Sequence, residues 1–180
     1  HSSVLTSSNI DVSRTSHQID QQVKNAEGVG LFKIDKPAIK SLKPHFIFTQ
    51  DTCKVCAIDT HEVETLANDI TLPDGSHPQV ISLSPSSLKE LFADIYRIGD
   101  VIGERNQAET VVADLKSRCE EISARCTQLN KSNNVTPRVA LIEWLDPPMS
   151  AGNWVPEMIQ MAGATDALEA DAGKSHWIDW

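Results

Sequence analysis

The chain has 180 residues, of which 40% are apolar and 23% charged, and its net charge is -9. This composition predicts a globular protein, and the 16 scattered lysines and arginines exclude the basic stripe that a nucleic-acid backbone requires. The longest apolar runs are far shorter than the roughly 20 residues of a membrane-spanning helix. No secretory signal is visible in the polar first residues, and we expect the sequence to be truncated at both ends.

Two short helices are predicted in the first 44 residues. Apolar side chains at helical spacing predict the first over residues 16–27, with Gly28 as its stop. Asp35 can cap the second helix, in which Pro37 is tolerated in the first turn, and Pro44 ends that helix.

A strand, a helix and a second strand follow. Residues 45–49 form a continuous apolar run, which predicts a strand covered on both faces, as in a parallel sheet. Asp59 and Glu62 form a capping-box pattern in front of a periodic helix, and residues 79–83 predict the next strand. Because such strands are joined by a right-handed parallel crossover, the sequence predicts an α/β layer in this part of the chain.

Two long helices are predicted after a second capping-box pattern, at Ser87 and Glu90. Apolar positions repeat at helical spacing over residues 88–102 and again over residues 108–129. Gly99, Gly103 and the polar residues up to Gln107 are predicted to interrupt the helix between these stretches. A coiled coil is the alternative, but only about three heptads are sustained and the glycines interrupt them.

The cysteines at positions 119 and 126 lie seven residues apart on the second long helix. At 1.5 Å per residue this spacing is about 10 Å of rise, which is too long for a disulfide. We therefore predict that Cys119 and Cys126 are two buried thiols on an apolar helix face.

The pair Cys53 and Cys56 follows the predicted strand at residues 45–49. Thioredoxin-like redox proteins place a CxxC at such a junction, although their flanking sequence is missing here. A zinc site would need two more ligands, for which His45 and His61 are the nearest candidates. The third interpretation is a pair of structural cysteines that stiffens the loop.

The last third of the chain predicts a return to the α/β pattern. The polar residues 130–137 are the predicted boundary, and residues 138–143 predict a strand. A loop over residues 144–153 then leads to a helix at about residues 155–161, which Gly163 ends. Triplets at two asparagines in this region, Asn130-Lys-Ser and Asn134-Val-Thr, fit the N-glycosylation pattern, to which the sequence alone assigns no role.

Two segments resemble the cobalamin-binding branch of the periplasmic binding proteins: IFTQDTCKVCAIDTHEV at residues 47–63 and RVALIEWLDPPMSAGNWVPEMIQMAGA at residues 138–164. The piece SLSPSSLKELFADIYRIGDVIG is similar to that family as well, and the order of elements agrees from Thr6 to Trp180. The resemblance implies the helical-backbone, class III fold, in which two α/β lobes are joined by one long helix and the ligand lies in the cleft between them. We expect both lobes to be incomplete, with a partial N-terminal lobe at residues 1–85, linking helices at 86–130 and a partial C-terminal lobe at 131–180.

The candidate ligand-binding residues lie in two loops. Ligands of open α/β sheets bind beyond the carboxyl ends of the strands, and both loops follow a predicted strand. The second loop mixes broad apolar faces with a few polar groups, as small-molecule sites do. The predicted ligand-binding residues are Gln50, Asp51, Cys53 and Cys56 in the first loop, and Trp144, Asp146, Met149, Ser150, Asn153 and Trp154 in the second. We expect the ligand to touch both loops.

The resemblance implies a binding protein rather than an enzyme. It would capture a corrinoid such as cobalamin, or an iron chelate, for an ABC importer, in the periplasm or otherwise outside the cytoplasm. No catalytic residue, metal site or resident cofactor is predicted, and the family resemblance favours Cys53 and Cys56 as part of the ligand wall. The family docks on its permease through a carboxylate on each lobe, but no acid stands at the corresponding Pro37, and Asp35 is the nearest substitute. A thiol redox or metal protein and a structural subunit without ligand remain the alternatives.

Overall fold

The chain divides into two units, His1–Ser84 and Pro85–Trp180. The computed structural model describes residues 4–26, 30–51, 58, 60–168 and 174–178. Within these ranges, no helix combines the length and the apolar composition that crossing a bilayer demands.

The first unit alternates short strands with helices. Two strand pairs are present in its described residues: β1 with β2 is antiparallel, and β3 with β4 is parallel. The parallel pair is separated in sequence by a helix, so the α/β layer predicted here is confirmed. The elements are β1 (Thr6–Ser8), α1 (Ser16–Asn25), β2 (Phe32–Ile34), α2 (Lys36–Leu42), β3 (Phe46–Gln50), α3 (Thr60–Asn68) and β4 (Gln79–Leu83).

The core of the first unit lies on one face of β3. The buried residues Ile39, Leu66, Ile70 and Leu72 form one cluster, and Ile47 of β3 packs against it. The alternate side chains of that strand point away from this cluster, and Phe46 and Phe48 remain 37% and 41% exposed. The prediction that β3 is covered on both faces is therefore wrong for the described residues, because α2 and α3 supply apolar partners to one face only.

Helix α2 begins and ends as its sequence predicts. The Asp35 carboxylate accepts a hydrogen bond of 3.0 Å from the backbone N–H of Ala38, which satisfies one of the unpaired donors of the first turn. At the other end Lys43 has a φ of 46°, in the left-handed region, and Pro44 follows. Helix α1 is capped by a reciprocal pair that the sequence analysis missed, Thr15 and Gln18.

Removal of the Asp35 cap should destabilise the first unit by about 1 kcal/mol. We expect Asp35→Ala to lower the free energy of unfolding by this amount in urea denaturation, because the N–H of Ala38 loses its acceptor. Asp35→Asn is the matched control, since an asparagine side chain caps almost as well and carries no charge. A loss of stability in Asp35→Asn as large as in Asp35→Ala would show that charge, and not capping, is what Asp35 contributes.

The second unit combines two long helices with short strands. Its described residues form two strand pairs, β5 with β8 in parallel and β6 with β7 antiparallel. The elements are α4 (Leu88–Ile102), α5 (Arg105–Asn133), β5 (Arg138–Val139), β6 (Ile142–Leu145), β7 (Pro148–Ser150), α6 (Val155–Met161) and β8 (Thr165–Asp166). The bounds of α6 are those predicted, and α4 spans the segment predicted as the linking helix.

Helix α4 begins at a modified capping box. The Ser87 hydroxyl accepts the N–H of Glu90 at 3.2 Å, as predicted. The Glu90 carboxylate, however, accepts from the N–H and the hydroxyl of Ser86 instead of from Ser87. These two hydrogen bonds to Ser86, first that from its backbone N–H, hold the pKa of Glu90 below its usual value.

The break between α4 and α5 is shorter than the sequence predicted. Gly103, with a φ of 77°, ends α4, and α5 already begins at Arg105. Gly99 lies inside α4, where a Cβ atom would come within 2.5 Å of the Cβ of Ala108. Gly99 therefore allows α4 and α5 to approach closely and does not break the helix.

Helix α5 runs further than its apolar periodicity, because residues 131–133 are exposed and need no apolar side chains. It ends at Asn133, inside the predicted boundary at residues 130–137, and Asn134 closes it with a φ of 53°. Cys119 and Cys126 on this helix are unpaired, as predicted, but half-buried rather than buried.

The strand predicted over residues 138–143 is two strands. Residues 138–139 form β5 and pair with β8, whereas β6 begins at Ile142 and pairs with β7. Between them, the carbonyl of Leu141 accepts the N–H of Ala151 at 3.0 Å. A continuous apolar run cannot reveal that its two ends have different partners.

Candidate functional site

The predicted second loop is largely a β-hairpin. Strands β6 and β7 pair antiparallel, with Leu145 opposite Pro148. Asp146 and Pro147, joined by a cis peptide bond, form the turn between them. The prediction of a loop over residues 144–153 is therefore wrong up to residue 150, because these residues pair with each other.

Two of the predicted residues, Trp144 and Met149, lie opposite each other in the hairpin, next to a register shift in β6. Ile142 pairs with Ser150, but the next pair is Trp144 with Met149, so β6 carries one extra residue between these pairs. Residues directly opposite each other on antiparallel strands direct their side chains to the same face. The turn register thus sets Trp144 beside Met149, and the bulge at Glu143 alters only the pairing beyond it, that of Ile142 with Ser150.

A third segment pairs with the free edge of β7, and we call it the strap (residues 174–178). The N–H of Ser150 donates to the carbonyl of His176 at 2.9 Å, and the N–H of Ile178 donates to the carbonyl of Pro148 at 3.0 Å. Met149 forms an antiparallel bridge with Trp177 between these bonds. The strap was not predicted from the sequence to be part of the site. The adjacent apolar residues Trp177 and Ile178 were the only local signal.

Trp144, Met149 and Trp177 therefore lie at opposed positions on β6, β7 and the strap, and we call this set the aromatic row. Their side chains share one face of the sheet. Trp144 and Met149 are half-buried and Trp177 is 52% exposed. Indole rings and a polarisable thioether offer broad apolar contact, which suits a flat ligand. The indole N–H of Trp144 donates to the carbonyl of Asp146 at 2.9 Å and so restrains the ring.

Ser150 holds the strap rather than facing solvent. Its side chain is fully buried, and its hydroxyl oxygen accepts the backbone N–H of His176 at 3.1 Å. The same oxygen is hydrogen-bonded to Nδ1 of His176 at 2.9 Å. On the far edge of the hairpin the Ser175 hydroxyl donates to the Glu143 carboxylate at 2.6 Å. Side-chain hydrogen bonds of Ser175 and His176 thus reinforce the backbone pairing.

Gly152 is required by the close passage of the strap. A Cβ at this position would lie 2.3 Å from the carbonyl carbon of Lys174 and 2.3 Å from the backbone nitrogen of Ser175. Both atoms are backbone atoms and cannot rotate away. Only glycine fits here without movement of the strap.

The remaining predicted residues of the second loop are Asp146, in the hairpin turn, and Asn153 and Trp154, which follow the hairpin in sequence. Asp146 is exposed at the hairpin turn. Asn153 is half-buried and has a φ of 53°, in the left-handed region. Trp154 is half-buried at the start of α6, where its carbonyl accepts the N–H of Met158 at 3.1 Å. These residues lie within a few positions of Ser150 and Gly152.

In the first unit, the first loop begins at the carboxyl end of a parallel strand pair, as predicted. Gln50 is the last residue of β3 and pairs with Leu83, and the N–H of Asp51 donates to the carbonyl of Leu83 at 3.4 Å. Both Gln50 and Asp51 are exposed. Cys53 and Cys56 lie outside the described residues, so the redox, zinc and structural interpretations of this pair stay predictions.

The described parts of the chain contain no group of three or more histidine, cysteine, aspartate or glutamate side chains that could hold a metal ion. His45 and His61 are both exposed in these parts.

No protein-family model and no curated protein matches this chain. Solved structures match it by fold. An ABC transporter substrate-binding protein from Listeria monocytogenes has a TM-score of 0.61 and 14% identity over 81% of this chain and 51% of its own. A possible iron-binding, periplasmic solute-binding protein from Staphylococcus epidermidis has a TM-score of 0.62 and 16% identity over 82% and 53%. The periplasmic vitamin B12 binding protein BtuF of Vibrio cholerae has a TM-score of 0.54 and 13% identity over 82% and 52%.

The chain thus spans about half the length of these structures. At these identities the likeness shows the fold. The chain has part of the helical-backbone, class III fold of periplasmic solute-binding proteins, and it is built of both helices and strands. This finding confirms the predicted fold class.

Proposed function

We propose that this chain is part of a solute-binding protein that captures a corrinoid outside the cytoplasm for an ABC importer, and that it binds without catalysis. The observation that carries the proposal is the aromatic row, Trp144, Met149 and Trp177, on one face of a sheet in a fold shared with solute-binding proteins. A planar macrocycle could lie flat against such a face and bury much of its apolar area.

The matched structures do not agree on one ligand. They include a periplasmic haem-binding protein from Pseudomonas aeruginosa, a siderophore-binding protein from Vibrio cholerae bound to Fe³⁺-Desferal, and the vitamin B12 binding protein named above. The choice of ligand therefore has to come from the residues of this chain.

Charge favours a ligand without carboxylates. From Val139 to Ile178, which includes the strap, the sequence has six acidic residues and one lysine or arginine, Lys174. The two propionates of haem would meet mainly like charges there, with Lys174 as one cation for two carboxylates, and an unpaired charge costs binding energy when it is desolvated. A corrinoid carries neutral amide side chains, to which carboxylate and amide groups such as those of Asp146 and Asn153 can form hydrogen bonds. We therefore favour cobalamin or a related corrinoid over haem.

Titration of the purified chain tests this proposal. All four tryptophans lie in the last 37 residues, so ligand binding should quench their fluorescence. We expect cobalamin or cobinamide to bind at least tenfold more tightly than haem and ferric desferrioxamine. Parallel titrations of N-acetyltryptophanamide correct for light absorbed by the ligands. Tighter binding of haem would refute the charge argument, and no saturable binding of any of the four would refute ligand capture.

Gln50, Asp51, Cys53 and Cys56 remain predicted ligand contacts in the first unit.

Delivery to an importer is also part of the proposal. No acid stands at Pro37, where the family has its N-terminal docking carboxylate, and the nearest acid, Asp35, is already engaged as the cap of α2. Surface ion pairs contribute roughly 0 to 1 kcal/mol, so their main effect at an interface is on register and partner choice. We expect the 180-residue chain to capture ligand without forming a stable complex with a permease.

A further inference from the structure

The two N-glycosylation triplets begin only four residues apart in sequence but have different structural settings. Asn130 lies inside α5 and is half-buried, and its side-chain amide donates to the carbonyl of Gly163. The hydroxyl of Ser132, the third residue of this triplet, donates to the carbonyl of Gln128 within the helix at 3.0 Å. Both groups that a glycosyl-transferring enzyme must engage are therefore occupied.

The second triplet is presented differently. Asn134 is the first residue after α5, with a φ of 53°, and residues 134–137 are exposed and belong to no helix or strand. Within the described residues, the side chains of Asn134 and Thr136 form no hydrogen bond. Only the backbone is restrained, since the N–H groups of Asn134 and Val135 both donate to the carbonyl of Asn130.

We infer that Asn134 is an N-glycosylation acceptor in an extracytoplasmic compartment that contains an oligosaccharyltransferase, and that Asn130 is not. The inference rests on the extracytoplasmic placement in the proposed function. The donor is an oligosaccharide linked to a lipid through pyrophosphate. The amide nitrogen of Asn134 attacks the anomeric carbon, the new N–C bond replaces the C–O bond to pyrophosphate, one amide proton is released to base, and the lipid pyrophosphate leaves. Acceptor triplets of this kind belong to surface loops.

The left-handed conformation by itself explains an asparagine at the end of a helix, because asparagine and glycine are favoured there. It does not explain the hydroxyl at Thr136. Three variants therefore distinguish a helix-capping role of Asn134 from a role as glycosylation acceptor. Asn134→Gly keeps the helix cap and removes the acceptor nitrogen. Thr136→Val keeps the shape of the side chain and removes the hydroxyl. Ser132→Thr gives the Asn130 triplet the same third residue as the Asn134 triplet.

The test uses the folded chain, produced without glycosylation, together with a single-subunit eukaryotic oligosaccharyltransferase and its lipid-linked donor. Modified asparagines are mapped by mass spectrometry after glycan removal in ¹⁸O-labelled water. We expect Asn134 to be modified in the wild-type and Ser132→Thr chains, with occupancy of Asn130 at least tenfold lower in both. Asn134→Gly and Thr136→Val should lose the modification and keep the wild-type melting temperature. In chains unfolded before the reaction, the Ser132→Thr variant should be modified at both positions.

Equal occupancy of Asn130 and Asn134 in the folded Ser132→Thr chain would overturn the inference, as would modification of Asn134 only after unfolding. Neither result depends on ligand binding, which the cobalamin titration measures separately. Failure of this inference and failure of the proposed function can therefore be told apart.

Discussion

Replacement of Gly152 by alanine should detach the strap from β7 and destabilise the second unit by about 2 kcal/mol. The new Cβ would lie 2.3 Å from two backbone atoms, at Lys174 and Ser175. Since neither atom belongs to a flexible side chain, the strap must move as a whole. Its movement breaks the hydrogen bonds between Ser150 and His176, and the buried Ser150 hydroxyl loses its partners.

Urea denaturation measures the loss of stability, and the shift of tryptophan emission in the folded state reports displacement of Trp177. Gly75→Ala is the control, because Gly75 has a φ of 85° and nothing lies within 4 Å of an added Cβ. That variant should show only the strain of a left-handed alanine, about 1 kcal/mol. A Gly152→Ala chain as stable as wild type would mean that the strap does not pass so close to this glycine in solution.

The second large effect is expected on ligand affinity. Trp177→Ala and Trp144→Ala should each weaken corrinoid binding by about 1 to 2 kcal/mol, which corresponds to roughly 5-fold to 30-fold in Kd. Each substitution removes a broad apolar surface from the face that the aromatic row forms. Trp177→Phe should lose less than Trp177→Ala, since a smaller ring still stacks.

Leu145→Ala is the matched control for the aromatic row. Leu145 is the neighbour of Trp144 on β6, pairs with Pro148 and is 72% exposed. Because successive side chains of a strand point to opposite faces, this substitution leaves the row intact. Leu145→Ala should bind like wild type. If it weakened binding as much as Trp144→Ala, with folding unchanged, the ligand would lie on the other face of the hairpin, and the aromatic row would not be the binding surface.

The elements that follow from local patterns could be predicted from the sequence. Strand β4 and helix α6 have the predicted bounds, and the caps at Asp35 and Ser87 are present. Helical periodicity, capping residues and strand-length apolar runs act over a few neighbouring residues, so a single sequence carries them. The resemblance to solute-binding proteins, which rested on the quoted sequence segments and on the order of the elements, was confirmed at the level of fold.

What depends on contacts between distant residues was decided by the tertiary structure. The hairpin of β6 and β7 looked like a loop, and one apolar run proved to be two strands with different partners. The strap pairs with residues about 26 positions earlier in the chain, and no local pattern encodes such a partner. The sequence alone thus determined that Trp144, Met149 and Ser150 were candidates for the site, but it did not point to Trp177. The long-range strand pairing decided that Trp144, Met149 and Trp177 share one face while Ser150 is buried to hold them, because side-chain direction in a sheet follows from register.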